Sequence, residues 1–376
     1  MRRFCNSVLC SAFLLIIIVP YIFAHRFSEE RVSDMENRML AAYPAIWTEN
    51  GWNSNYIEQY ENWISDNMRG RTALVECNSM LQYKLFHRIV KDDTIEGRNH
   101  WLFANEPEMF KEYQHLNLMT EPEVKEFVES MEHLSDYLSG RGIAFYYFQC
   151  IDKESIYPQE YVKGIQQFGE QSRVDQIVEG LQEGNKVTVV CPKEELLEAS
   201  KENIVYYQYT DLEHWNEMGA YIGYRELVDR MLVDFPEIRI LQQEDYNIYE
   251  IADKTELYGF EYPYTEMTPI YELQSPFAVE KIDERWNYLS YKEHTHYYQN
   301  EKVNNDIKIL LVGDSFVRMF IKDDIAEGFR ETLSIDWLNV PILNQIIDDY
   351  TPDIVVLEST EKTLGNVIAC VNSIEY

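Results

Sequence analysis

The chain has 376 residues, 45% of them hydrophobic and 14% aromatic, enough to bury a large core in one large domain or two. Its formal net charge of −32 argues against nucleic acid as a partner and against broad adhesion to anionic lipid headgroups. Keeping a secreted domain soluble is a sufficient reason for such acidity.

Arg2 and Arg3 precede an apolar run from Val8 to Ala24, and His25-Arg26 begins polar sequence. The run is short for a membrane span but workable with tilt. Ile22-Phe23-Ala24 puts a bulky residue where a cleaved signal needs a small one, so residues 1–24 read as an uncleaved signal anchor. Positive charge at the extreme N-terminus then places residues 25–376 outside the cytoplasm, on a single membrane pass. Cys10 has no small residue before it of the kind a lipidated cysteine requires. Cys77, Cys150, Cys191 and Cys370 show no CxxC or metal-type spacing; Cys150 and Cys191 each end a strand pattern and read as buried small apolar residues rather than a disulfide.

Residues 25–60 form a lead-in, and Gln59 to Phe86 carries apolar residues at helical spacing. Asp93 to Phe103 contains Gly97 and ends in Trp101-Leu102-Phe103, a turn into an early strand. From Glu121 the pattern alternates. A helix (Val124, Phe127, Met131, Leu134, Leu138) stops at Gly140-Arg141-Gly142, and an aromatic strand runs from Ile143 to Gln149. A second helix (Val174, Ile177, Val178, Leu181) stops near Gly184, before a strand from Val187 to Cys191. Helix, glycine, strand, repeated, predicts crossover connections and a mainly parallel sheet. A helix from about Glu217 to Leu232 ends before Pro236. Residues 243–305 then hold ten tyrosines, Phe260, Phe277, Trp286 and many acids without helical period, a β-rich or irregular insertion. The sheet resumes with Ile307–Val312, Leu333–Trp337 and Asp353–Leu357, with a helix (Val340, Leu343, Ile346, Ile347) between the last two. A single α/β domain over 25–376 accounts for this order.

Two words carry chemistry. Asp211-Leu212-Glu213-His214-Trp215 supplies a base and its orienting acid within one turn of backbone. Gly313-Asp314-Ser315-Phe316 follows the buried strand Ile307–Val312, so Ser315 stands just beyond a carboxyl end, where α/β sheets put their chemistry. A serine hydroxyl is inert at neutral pH unless an imidazole takes its proton, and the imidazole needs a carboxylate to fix its tautomer.

These words, in order, resemble a known family. Glu36-Asn37-Arg38-Met39-Leu40 with Pro44, Tyr60 to Asp66 through Arg71, Gly97 to Phe103, Asp152-Lys153 to Tyr157-Pro158 and Pro352-Asp353-Ile354-Val355-Val356 look like its signature segments, from about residue 30 to 365. The family is that of SGNH-hydrolase-like proteins of the alginate O-acetyltransferase type, related to extracellular proteins named for an Asp-His-His-Trp motif. The resemblance implies an SGNH-hydrolase-like (flavodoxin-like) α/β fold with permuted strand order, since Asp-x-x-His precedes the serine. It implies transfer or removal of acetyl groups on a cell-surface polysaccharide, with the acetyl supplied by a membrane-bound O-acyltransferase and with no cofactor. It carries the nucleophile role to Ser315, the base role to His214 and the orienting role to Asp211. Family members show Asp-x-His-Trp, whereas two residues intervene here, which leaves Glu213 as the competing orienter.

The backbone N–H of Ser315 is expected in the oxyanion hole, with the second donor unidentified. Asp314 reads as a turn cap. Lys153, Tyr157 and Trp215 are candidates to bind substrate; for Lys153 and Tyr157, solvent-facing roles fit equally well. His294-x-His296 places two imidazoles on one strand face, but no third ligand has suitable spacing, so no metal site is assigned. The tyrosine-rich insertion suits either sugar stacking or an aromatic core. Three functions remain in view: O-acetyltransferase, esterase of the same class of glycan, and catalytically idle glycan-binding scaffold.

Overall fold

A computed structural model describes residues 10, 11, 13, 14, 18, 31–33, 38–49, 51–68 and 70–374. The anchor expected over residues 1–24 therefore falls largely outside the described residues, as do Glu36 and Asn37. Among the described residues, no helix is long and apolar enough to cross a membrane. The chain divides into two compact units, Met1–Asp92 with Lys254–Pro263, and Asp93–Asp253 with Tyr264–Tyr376.

The first unit holds helices α1 (Tyr56–Asn67) and α2 (Arg71–Phe86), joined at Gly70, whose φ of +84° suits a residue without Cβ. Arg38 makes a two-pronged pair with Asp66 (2.9 and 2.6 Å), which also accepts the Ala41 N–H. Two separate signature segments of the sequence are thus tied at one carboxylate. Tyr83 of α2 packs on Phe260 and Tyr262 from the tyrosine-rich segment.

The second unit opens with a short hairpin, Thr94–Glu96 against Leu102–Ala104. Gly97 turns it because any Cβ there would meet the Glu160 carbonyl at 2.3 Å. Helix α3 (Glu121–Ser139) starts where the Thr120 N–H donates to Glu123 (2.7 Å) and buries Phe127, Met131, Leu134 and Leu138. Strand β1 (Ala144–Gln149), helix α4 (Arg173–Gly184), strand β2 (Thr188–Val190) and helix α5 (Glu217–Met231) follow. Next come a separate two-stranded ribbon, β3 (Tyr246–Asp253) with β4 (Glu266–Leu273), and then β5 (Val279–Lys281), β6 (His296–Gln299), β7 (Lys308–Gly313) and β8 (Glu331–Asp336). Helix α6 (Leu343–Tyr350), β9 (Ile354–Ser359) and α7 (Leu364–Val371) close the unit.

The seven-stranded sheet has the order β5-β6-β8-β7-β9-β1-β2. Strands β8, β7, β9, β1 and β2 are parallel, and β6 and β5 add antiparallel at one edge. The expectation of a mainly parallel sheet needs that amendment: the sheet is mixed, because part of the insertion joins it. The inner strands read as unbroken apolar runs because both faces are covered, and every residue of β9 is buried. The carboxyl ends of β7, β9 and β1 lie side by side, and the candidate site is built there.

Candidate active site

Ser315 follows the end of β7 as the first residue of a helical turn that continues through the π-helical stretch Val317–Ile321. Its N–H therefore has no intrahelical acceptor and is available to a ligand oxygen. The approach to Ser315 is tightly fixed. A Cβ on Gly313 would lie 2.4 Å from Glu358 Oε2, and that oxygen accepts the Asp314 N–H at 2.7 Å. Asp314 accepts the Phe316 N–H through one oxygen, and the hydroxyls of Thr360 and Thr363 through the other. It caps the turn and does not reach His214.

The loop bearing His214 is closed by a bridge between Tyr206 and Trp215, with the Tyr207 N–H donating to the His214 carbonyl. Glu266, buried in β4, accepts the backbone N–H groups of Gln208 (2.5 Å), Tyr209 (3.0 Å) and Thr210 (3.0 Å) and the Thr210 hydroxyl (2.8 Å). Asp211 Oδ1 then accepts the N–H groups of Glu213 and His214, both at 2.8 Å. The same carboxylate meets His214 Nδ1 at 2.9 Å from each oxygen, and His214 Nε2 stands 2.7 Å from Ser315 Oγ. Burial pushes the Asp211 carboxyl up, but the His214 ring and the two backbone donors outweigh it and hold it well below the usual carboxylate range. Glu213 instead pairs with Lys362 (3.0 and 3.1 Å), which also bonds Glu106. Of the two competing orienters, only Asp211 reaches the ring.

The three candidate substrate-binding side chains lie elsewhere. Trp215 is fully buried against Phe316 and Phe148, in a slot that exists because position 223 is glycine, where a Cβ would meet the indole at 2.7 Å. Lys153 is also fully buried, its Nζ donating to the carbonyls of Leu102 (2.6 Å) and Asp211 (3.1 Å). Desolvation lowers its pKa to about 8. The Tyr157 hydroxyl donates to the Asn203 carbonyl and accepts the Val205 N–H. All three support the His214 loop from beneath and offer no free face to a substrate. His294 pairs with Asp336 (3.0 Å) and His296 with Glu280 (2.6 Å), two separate partners. No group of three or more metal-ligating side chains occurs among the described residues.

Sequence reading missed Glu266 and Glu358. A charged residue inside the apolar run Ile354–Ser359 was a visible signal for Glu358; nothing local marked Glu266. Phe320 packs on the His214 ring (centroids 5.3 Å apart) and also lines a cavity of about 400 Å³ with Tyr221, Tyr271 and Tyr298. Tyrosines of the insertion divide between two environments: Tyr246 and Tyr262 are buried in packing, while Tyr271 and Tyr298 line this cavity.

The family model of the SGNH hydrolase-like domain of acetyltransferase AlgX matches residues 94–339. The chain belongs to this family. No curated protein matches it by sequence. Among solved structures, Bacillus cereus PatB1 superposes with a TM-score of 0.54 at 14% identity, covering 73% of this chain and 98% of its own. A structure of PatB1 with a sulfonyl adduct gives 0.54 at 15%, with the same coverage. A DHHW family protein from Eubacterium siraeum gives 0.51 at 12%, covering 76% of this chain and 97% of its own. At such identities these likenesses establish the SGNH hydrolase-like α/β fold, and the family match makes the chain an acetyltransferase-type member of it.

Proposed function

We propose that the protein is an extracytoplasmic O-acetyltransferase acting on a cell-surface polysaccharide, with Ser315 as nucleophile, His214 as general base and acid, and Asp211 as orienting carboxylate. The continuous relay from Asp211 through His214 to Ser315 Oγ is the observation that carries this reading. In the first half-reaction Ser315 Oγ attacks the carbonyl carbon of an acetyl donor as His214 Nε2 takes its proton. The tetrahedral oxyanion is met by the Ser315 N–H. Collapse expels the donor's leaving group, which receives the proton from His214, and leaves acetyl-serine. A sugar hydroxyl then attacks the acetyl carbon, giving its proton to His214. Collapse releases the O-acetyl sugar, and the proton returns to Oγ.

The N-terminal apolar run supports a single-pass anchor with the domain outside the cytoplasm, and a membrane-bound O-acyltransferase as the source of acetyl fits that location. The test is mass analysis of an oligosaccharide incubated with an activated acetyl ester and the purified chain. Gain of acetyl mass, lost in Ser315→Ala, supports transfer; removal of acetyl from a pre-acetylated oligomer identifies an esterase. If the wild-type chain neither turns over p-nitrophenyl acetate nor reacts with a sulfonyl fluoride, the reading fails.

A further inference from the structure

A second cavity, of about 420 Å³, opens at the β5 edge of the sheet, and its lining includes Lys281, Trp286, Asn287, Lys292, Thr295 and Tyr297. Two of its buried polar groups lack partners. Trp286 is only 3% exposed, yet its indole N–H has no acceptor, and the Thr295 hydroxyl is likewise buried and unpartnered. Neither Lys281 nor Lys292 has a carboxylate partner among the described residues; Lys292 reaches only the Asn287 side-chain oxygen, at 3.4 Å. The two acids in the wall are committed, Glu280 to His296 and Asp283 to Arg285. In a protein with 65 acidic and 33 basic side chains, this cavity gathers hydrogen-bond donors and uncommitted positive charge.

Register fixes its place relative to the reactive serine. Lys281 lies opposite Tyr297, Tyr297 opposite Leu333, and Leu333 opposite Leu310 of β7. Strand β5 runs in the same sense as β7, so Ile282 and Asp283 continue toward the end of the sheet that carries Ser315. Three strand spacings separate β5 from β7, about 14 Å. Arg318, one turn after Ser315, and His294, next to Thr295, both reach Asp336 at the end of β8 (3.5 and 3.0 Å). The two places are thus linked across one face of the protein.

We propose that this cavity is an acceptor subsite for an oxyanion, a carboxylate or phosphate carried on the polymer, which it holds while a hydroxyl on a sugar unit farther along the polymer is presented to Ser315. Buried N–H and O–H donors without partners, beside two ammonium groups that no carboxylate pairs among the described residues, are completed by acceptor oxygens bearing negative charge. The proposal rests on the glycan-acceptor reading, so its test measures binding and not turnover. The full chain carrying Ser315→Ala, in detergent, is titrated by calorimetry with inorganic phosphate, a uronic-acid trisaccharide, a glycerol-phosphate oligomer and a neutral trisaccharide. An anionic probe is expected to bind and to weaken at high salt. Its affinity should fall tenfold or more in Lys281→Gln/Lys292→Gln, and several-fold in Trp286→Phe, which keeps the ring and removes the donor. Thermal unfolding checks that each variant is folded. Which oligomer binds identifies the source of the oxyanion. Absence of binding by every anionic probe, equal binding of the neutral sugar, or unchanged affinity in the folded double lysine variant overturns the proposal. Anion binding intact in Ser315→Ala, together with a wild-type chain inert toward acetyl esters, would instead sink the transferase reading and leave the subsite standing.

Discussion

Asp211→Asn should disable the protein far out of proportion to its size. The asparagine can still accept the Glu213 and His214 N–H groups through its oxygen, so the turn survives. Its amide nitrogen, however, then faces His214 Nδ1. The ring must present a lone pair there and carry its proton on Nε2, the tautomer unable to accept from Ser315 Oγ. The comparable change in a serine protease costs about 10⁴-fold. The His214 side chain is only 13% exposed, but Asp211 is 28% exposed, so water will relieve part of the loss. A fall of about 10³–10⁴ in kcat/KM, roughly 4–5.5 kcal/mol, is expected. Glu213→Gln is the control, two residues away. It breaks a pair with Lys362 in which both side chains are about a quarter exposed, and such pairs contribute roughly 0–1 kcal/mol. Hydrolysis of p-nitrophenyl acetate, followed across pH for both variants, separates them. An Asp211→Asn variant within tenfold of wild type, or a Glu213→Gln variant that falls as far, would show that Asp211 does not orient His214.

Other substitutions read the supports of the site. Glu266→Ala strands three backbone donors and one hydroxyl behind the His214 loop; at about 1–3 kcal/mol for each buried donor left unpaired, it should lower the melting temperature sharply and activity with it, whereas Glu266→Gln should recover part of both. Gly313→Ala drives a methyl into the Glu358 carboxyl and should cost about 1–3 kcal/mol by denaturant unfolding; a Gly313→Ala/Glu358→Ala double variant that loses the full sum of the single effects would contradict that contact. Glu154 is almost fully buried with neither carboxylate oxygen partnered, and burial raises its pKa from 4.5 to about 8. Its folded form holds the proton more tightly than the unfolded chain, so stability falls as pH rises from about 4.5 through 8; Glu154→Gln should raise the melting temperature more at pH 8.5 than at pH 5, and parallel curves would refute this. Asp211 has the opposite sign: its depressed carboxyl stabilises the fold above its ordinary value of 3.8, and that contribution is lost in acid, so the melting temperatures of wild type and Asp211→Asn should converge as pH drops below 4.

The elements legible in the sequence are those whose burial is two-sided or periodic. Strands β7 and β9 appear as apolar runs bounded by turn residues because helices cover both faces, and α3 appears because one stripe is buried. Asp211 and His214 were readable together because one turn of backbone holds both, and Ser315 because it follows a buried strand. The misjudged residues share a different property. Trp215 sits next to His214 in sequence, and Lys153 and Tyr157 follow a strand end; those positions suggested contact with substrate. Which way a side chain points depends on partners far along the chain: Gly223 leaves room for Trp215, the Leu102 carbonyl fixes Lys153, and Val205 and Asn203 hold Tyr157. The antiparallel edge was hidden for the same reason, since β5 and β6 are short strands inside a segment with no period of its own.

The acidity that composition assigns to solubility has a second use at this end of the sheet. Each loop that shapes the site is pinned by a carboxylate accepting backbone N–H groups: Glu266 before Asp211, Asp211 before His214, Glu358 beneath Asp314, and Asp314 before Phe316. Glu361 accepts the Asp152 N–H, and Asp152 accepts that of Lys362, joining the ends of β1 and β9. A carboxylate suits this work because it offers acceptor capacity only, and a loop end offers unpaired donors. The arrangement gathers many acids in a small volume, and burial with mutual repulsion raises the carboxyls of Asp152, Glu358 and Glu361. Asp211, unlike those three, is pulled well below its ordinary range, because the imidazole stands beside it. That difference singles out the carboxylate able to stabilise a charge that forms and vanishes during turnover, while its neighbours hold the backbone on which the relay depends.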